Sequence, residues 1–160
     1  MYTGKFFTSM NDSAHTAVAV RAQIPEFNPE QDEHDAMAIY AVAFDEDSLP
    51  SGTGRLYIDD ESHFRIDFLG VVPEKRGRYI GDLIARMLLF KAQQLNAASV
   101  YISAPVNVIR FFARYGFALM RDDGKIAQMS VSAEDIRLEG SCSKGRTERC
   151  AGNCAECASL

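Results

Sequence analysis

Apolar positions recur along the chain in two periods, and the switches between them mark the elements. Residues 3–8 (TGKFFT) predict a short first strand. Asn11, Asp12 and Ser13 can each cap a helix, and the pattern from Ala14 to Gln23 is helical until Pro25 and Pro29 end it. The polar run at 30–35 reads as an exposed loop, its charges either a solvated surface or a substrate-facing one. Residues 36–44 (AMAIYAVAF) are continuously apolar, the mark of a strand covered on both faces. After a turn, TGRLYI at 53–58 and FRIDFLGVV at 64–72 predict two strands joined by the loop DDESH. A long amphipathic helix follows over 80–96, with Ile80, Leu83, Ile84, Met87, Leu88 and Leu95 at the helical period. Residues 99–103 predict a strand, 106–115 a second helix ended at Gly116, and FALM and IAQMSV two closing strands. Strand-rich and helical stretches in this order imply an α+β fold, a mixed sheet with helices on its faces.

From about residue 133 the apolar pattern fades. Residues 139–160 (EGSCSKGRTERCAGNCAECASL) contain one large aliphatic side chain, Leu160, and cannot form a core without a staple. This divides the chain into a domain at 1–135 and a tail at 136–160. All four cysteines, Cys142, Cys150, Cys154 and Cys157, lie in the tail with the spacing C-x7-C-x3-C-x2-C. Four thiolates can hold zinc or an iron–sulfur cluster. A redox or disulfide switch, and a tail with no site, are the alternatives. The last three cysteines match radical-SAM spacing, but the chain is too short for that family's barrel.

The length of 160 residues suits one domain with a tail, and 47% hydrophobic residues can fill a core. No apolar run approaches the ~18 residues of a membrane span, and the N-terminus lacks a secretory pattern. The expectation is a cytoplasmic protein. A net charge of -5 argues against nucleic acid or an anionic membrane as a general partner. It does not bear on self-association, so an oligomer stays open. The local charge is different at Lys75, Arg76 and Arg78, which cluster with Gly77 and Gly81.

That cluster lies in FLGVVPEKRGRYIGDLIARMLL, residues 68–89. A strand ends at Val72, Pro73 stops it, and a basic loop enters the long helix. The first N–H groups of a helix have no internal partner, and with the helix dipole they favour an anion. The loop is therefore either a pyrophosphate cradle or simply a basic connection; the pattern alone does not choose.

RGRYIG at 76–81 resembles the R/Q-x-x-G-x-G/A pattern of the GNAT superfamily. LGVVP at 69–73, SGTGRL at 51–56 and NVIRFFARYGF at 107–117 resemble its strands and its helix ending in F-Y-x-x-x-G-F. The resemblance spans about residues 1–132. It implies a mostly antiparallel central sheet of about six or seven strands flanked by three to four helices, and acetyl-CoA as co-substrate. By the same resemblance, Leu69, Gly70 and Val71 would hold the pantetheine arm and acyl carbonyl. Arg76, Gly77, Arg78, Tyr79, Ile80, Gly81 and Asp82 would hold the pyrophosphate. A bulge, which Gly70 would permit, usually splays the strand from its neighbour in this family. The chain departs from the pattern at Tyr79, where a glycine is usual, at Phe112, in place of the tyrosine usually assigned as the acid, and at Pro105, in place of a polar contact. Tyr115 lies about one turn from Phe112.

Acyl transfer to an amine needs a proton acceptor. Asp67 is the preferred candidate. If the 59–63 loop is symmetric about Glu61, Asp67 lies opposite Arg55, so the competing reading is a cross-strand ion pair. The two are compatible. Ser103 can face the cofactor slot, and His34 can contact substrate or lie on the surface. The sequence thus points to an N-acetyltransferase acting on a small-molecule or peptidyl amine. The rival is a non-catalytic acyl-CoA-binding module whose tail senses metal or redox state.

Overall fold

The structure, a computed structural model, describes residues 1–8 and 14–138. The capping candidates Asn11, Asp12 and Ser13 and the four cysteines fall outside the described residues. Among the described residues, seven strands form one sheet: β1 (Thr3–Thr8), β2 (Ile39–Phe44), β3 (Pro50–Ile58), β4 (Phe64–Val71), β5 (Ser99–Pro105), β6 (Ala118–Asp122) and β7 (Ile126–Ser132). Their spatial order is β1-β2-β3-β4-β5-β7-β6, and only β4 and β5 run parallel. The parallel step needs a crossover, which α2 (Ile80–Gln94) supplies. The other helices are α1 (Ala14–Arg21) and α3 (Ile109–Ala113). This is the expected mixed, mostly antiparallel α+β sheet.

Strand alternation sorts the core into two layers. On β2, Ala41 and Ala43 join the α2 layer, while Tyr40 and Val42 meet Ala17, Val20 and Ile24 on the α1 side. That explains the unbroken apolar run, since both faces are covered. On β3, Gly52 and Gly54 lie beneath Ile84 and Leu88 of α2. Thr53 and Arg55 alternate with these glycines on the same strand, and Arg55 is 1% exposed. Leu95 is 44% exposed, because α2 ends at Gln94 before that side chain can join the buried stripe. The second predicted helix is shorter than expected: a 3-10 turn at Val106–Val108 precedes α3. Ile136 and Leu138 pack against the core. Among the described residues, no helix is long and apolar enough to cross a membrane.

Candidate active site

β4 pairs with β5 only through Phe64, Arg65 and Ile66. Beyond Ile66, β4 stays with β3 to Val71 and β5 stays with β7 to Pro105, so the two strands part. The cause is a bulge in β4. Thr53 faces Gly70 and Arg55 faces Asp67, which leaves Phe68 and Leu69 together opposite Gly54. Phe68 has φ 46, a left-handed conformation costing on the order of 1–3 kcal/mol for a bulky residue. The expected bulge position, Gly70, is therefore corrected to Phe68. Its ring is held at 5.5 Å from Phe27 and lies under the guanidinium groups of Arg21 and Arg55, at 4.3 and 4.7 Å. Gly70 serves a different purpose: a Cβ there would come within 2.7 Å of the Phe27 ring. Its lack of a side chain lets the segment after α1 close over β4.

The parted strands open a cleft with an empty volume of about 790 Å³. Asp67, Leu69, Gly70, Val71 and Arg76 line it, with Glu26 and Phe27 on one side and Ser103, Pro105 and Phe112 on another. Five of the sequence-predicted site residues thus share one wall. Gly77 through Asp82 are not among the lining residues; they continue from Arg76 into α2.

Asp67 accepts two hydrogen bonds from Arg55, Nε to Oδ1 at 2.8 Å and Nη2 to Oδ2 at 2.7 Å. Its side chain is still 28% exposed. Burial pushes the carboxyl above the usual carboxylate range, more than Arg55 pulls it down. The ion pair and the cleft position coexist in one residue.

Behind Asp67 stands a larger cluster that the sequence reading did not assemble. Arg55 Nη1 donates to Asp32 at 2.6 Å and Asp35 at 2.9 Å, and Nη2 donates to Asp32 at 2.9 Å. Arg21 binds both oxygens of Asp35 at 3.1 Å and the Glu30 carbonyl at 2.9 Å. The Tyr40 hydroxyl also donates to Asp35. Burial works to raise the Asp35 carboxyl, but Arg21 and Tyr40 outweigh it and hold it well below the usual range. Asp32 is lowered chiefly by its Arg55 hydrogen bonds. The acidic loop is therefore not simply a solvated surface. Asp32 caps a 3-10 turn at Glu33–Ala36 and forms a capping box with Asp35, which is 8% exposed. Two signals were present in the sequence: Arg21 occupies the apolar stripe of Ala17, Val20 and Ile24, and D-x-x-D has the spacing of a capping box. His34 stacks on Tyr57 at 4.4 Å.

At the entrance to α2, Gly77 takes φ 76, and a Cβ there would meet nothing within 4 Å. Tyr79 precedes the helix in a left-handed conformation, and among the described residues no side chain caps the first turn. Tyr79 is 47% exposed. Ile80 turns its side chain into the core, so only its backbone can serve a ligand. Arg76 donates to the Val71 carbonyl at 3.1 Å and pairs with Glu26 at 2.8 Å. Asp82 accepts from the Tyr115 hydroxyl and pairs with Arg86 at 2.9 Å.

Across the cleft, Phe112 is packed edge-to-face against Phe111 and Phe117. Tyr115 is fully buried; burial first, and Asp82 second, push its phenol far above the ordinary range. Ser103 donates to Gln128 at 2.6 Å. Among the described residues, no group of three or more His, Cys, Asp or Glu could hold a metal.

The family model described as the acetyltransferase (GNAT) family matches residues 7–117. Among solved structures, an acyl-CoA N-acyltransferase from Pseudomonas aeruginosa superposes with a TM-score of 0.71 at 17% identity, covering 82% of this chain and 100% of that one. Escherichia coli ElaA gives a TM-score of 0.69 at 16% identity, with coverage of 82% and 100%. At such identities these two establish a shared fold.

Proposed function

The chain belongs to the GNAT acetyltransferase family, and from that premise we propose that it is an N-acetyltransferase, moving an acetyl group from acetyl-CoA to a primary amine by direct attack. The observation that carries this reading is the parting of β4 from β5 with Asp67 on the cleft wall. The residues present suit the co-substrate. The uncapped first turn of α2 offers N–H groups to phosphate, Gly77 leaves open space beside them, and the edge of β4 beyond Ile66 is released from β5. Leu69, Gly70 and Val71 would accompany the pantetheine arm. Arg76 through Asp82 would meet the pyrophosphate, Ile80 by backbone alone and Asp82 by its N–H.

Acetyl-CoA supplies an acyl group on a thiolate leaving group. Asp67 takes the proton of the attacking amine, directly or through water, and its carboxyl, raised by burial, is suited to that. Arg55 fixes both carboxylate oxygens and thus the direction in which Asp67 presents its lone pairs. Phe112 has no proton to give, and Tyr115 is committed to Asp82. A thiol with a pKa of about 8.5 leaves tolerably as thiolate without an acid. The acceptor is a small-molecule or peptidyl amine.

Thiol release across an amine panel, with acetyl-CoA binding measured in parallel, tests the reading. Asp67→Asn should cut turnover by about 10²–10⁴-fold with little change in acetyl-CoA affinity. Unchanged turnover removes Asp67 from the chemistry. Binding without turnover on any amine favours a non-catalytic acyl-CoA module instead.

For the tail at 136–160, the reading is a metal site separate from acyl transfer, built by Cys142, Cys150, Cys154 and Cys157 around zinc or an iron–sulfur cluster. Such thiolates suit a reducing, cytoplasmic setting. Truncation after Gly140 should remove the metal and leave acetyl-CoA affinity intact. Metal-free protein from anaerobic purification, with four free thiols, overturns it.

A further inference from the structure

Arg55 has five N–H donors, and every one is engaged. Asp67 takes Nε and one Nη2 donor, Asp32 takes one Nη1 and one Nη2 donor, and Asp35 takes the remaining Nη1 donor. Two carboxylates thus grip adjacent edges of one guanidinium that is itself 1% exposed. Neither is sealed off: the Asp32 side chain is 42% exposed and that of Asp67 28%. Arg21, Arg55, Asp32, Asp35 and Asp67 together carry two positive and three negative charges. The set is one cation short.

We propose that Asp32 is a positioning residue for acyl transfer, one that shares the Arg55 guanidinium with Asp67 and so keeps Asp67 aimed yet basic enough to accept a proton. The proposal rests on the reading of Asp67 as the base. A carboxylate with a guanidinium to itself is a weak base, because the pair favours its charged form. Asp32 counters this in two ways. It occupies two of the five donors, and its negative charge disfavours a second charge at Asp67. Other charged and titratable groups lie near Asp67 on the packed elements: Arg55 and Tyr57 on β3 and Arg21 at the end of α1, with Asp35 on the shared Arg55 and Glu26 and Arg76 lining the same cleft. Of the carboxylates among them, Asp32 is the one that shares the Nη2 nitrogen with Asp67.

Asp32 also ties the 3-10 turn to the base. Its side chain accepts from the N–H groups of His34 and Asp35, and its own N–H donates to Asp35 at 2.8 Å. The 3-10 turn at Glu33–Ala36 is therefore anchored on the same guanidinium that aims Asp67.

The test uses the full chain and reads two quantities: the acid limb of the kcat–pH profile on an amine found in the panel, and the carboxyl ¹³C titration of Asp67, assigned by its loss in Asp67→Asn. Activity requires Asp67 deprotonated, so the limb lies where falling pH protonates it. Asp32→Asn removes a negative neighbour and should move both midpoints down by about half a pH unit or more. Arg55→Gln removes the cation and should move both up by at least as much. Arg55→Lys, a point charge that cannot serve both edges, is the folded alternative, with a smaller upward move. KM for acetyl-CoA should stay constant throughout. Opposite shifts are what a merely structural role would not produce. A midpoint that stays fixed or rises in Asp32→Asn overturns the proposal while leaving the base reading intact. Opposite NMR shifts with full turnover in Asp67→Asn instead sink the base reading, and the proposal with it.

Discussion

At the Asp67 end, the cleft is backed by charged side chains that hold one another: Arg55 engages three carboxylates, and Asp35 answers two buried arginines and a tyrosine. At the α2 entrance, past the Arg76 edge of the cleft, the chain instead presents backbone, with a glycine at positive φ and, among the described residues, a first turn that no side chain caps. The first arrangement takes its geometry from its own ion pairs. The second leaves donors ready for an anion. On the proposed reading, one end aims a charge and the other receives one.

Breaking the charged end should have the largest effect. Asp35→Ala takes from buried Arg21 the carboxylate it pairs with and should cost about 3–5 kcal/mol, read by denaturant unfolding. The Asp35 carboxyl is held below its ordinary range, so its stabilisation is complete above that range and is lost as pH falls through the lowered value. The gap between wild type and Asp35→Ala should therefore be widest near neutrality and close on acidification. A constant gap would assign the loss to packing rather than charge.

At the other end a smaller effect is expected. Arg76→Glu should weaken acetyl-CoA binding at least about tenfold by calorimetry, because a charge-assisted phosphate contact becomes repulsive. Stability should barely change, since the Arg76–Glu26 pair is partly exposed. Unaltered affinity would remove this loop from the site and abolish the contrast between the two ends. The smallest effect belongs to Tyr79→Gly. It relieves a left-handed residue and should raise stability by up to about 1 kcal/mol, with acetyl-CoA affinity equal or tighter. A lower melting temperature would mean that the tyrosine ring supports the loop.

The two ends also differ in how far the sequence reveals them. The α2 entrance is local: strand, proline, basic loop and amphipathic helix follow in order, so spacing alone outlines it. The Arg55–Asp67 register is equally readable, because a hairpin loop symmetric about Glu61 puts the two opposite each other. The rest of the cluster joins residues 14, 20 and 23 positions apart, from α1, the 3-10 turn and β3. No periodicity encodes such pairs, so Asp32 and Asp35 look like solvated charges. The bulge was misplaced for a related reason. Glycine is the residue that accepts a strained backbone freely, but Phe68 is held there by Phe27, Arg21 and Arg55, none of them near it in sequence.

The short β4–β5 pairing has a further consequence. Phe64, Arg65 and Ile66 are the seam between a four-stranded ribbon, β1 to β4, and a three-stranded one, β5 to β7. Among the described residues, no ladder hydrogen bonds join the two ribbons beyond the seam. A long ligand lying along the released edge of β4 would act as a splint across the two ribbons. Its arrival should appear as slowed amide exchange at Leu69 to Val71 and also along β5, so occupancy of the cleft can be followed with no acceptor and no turnover at all.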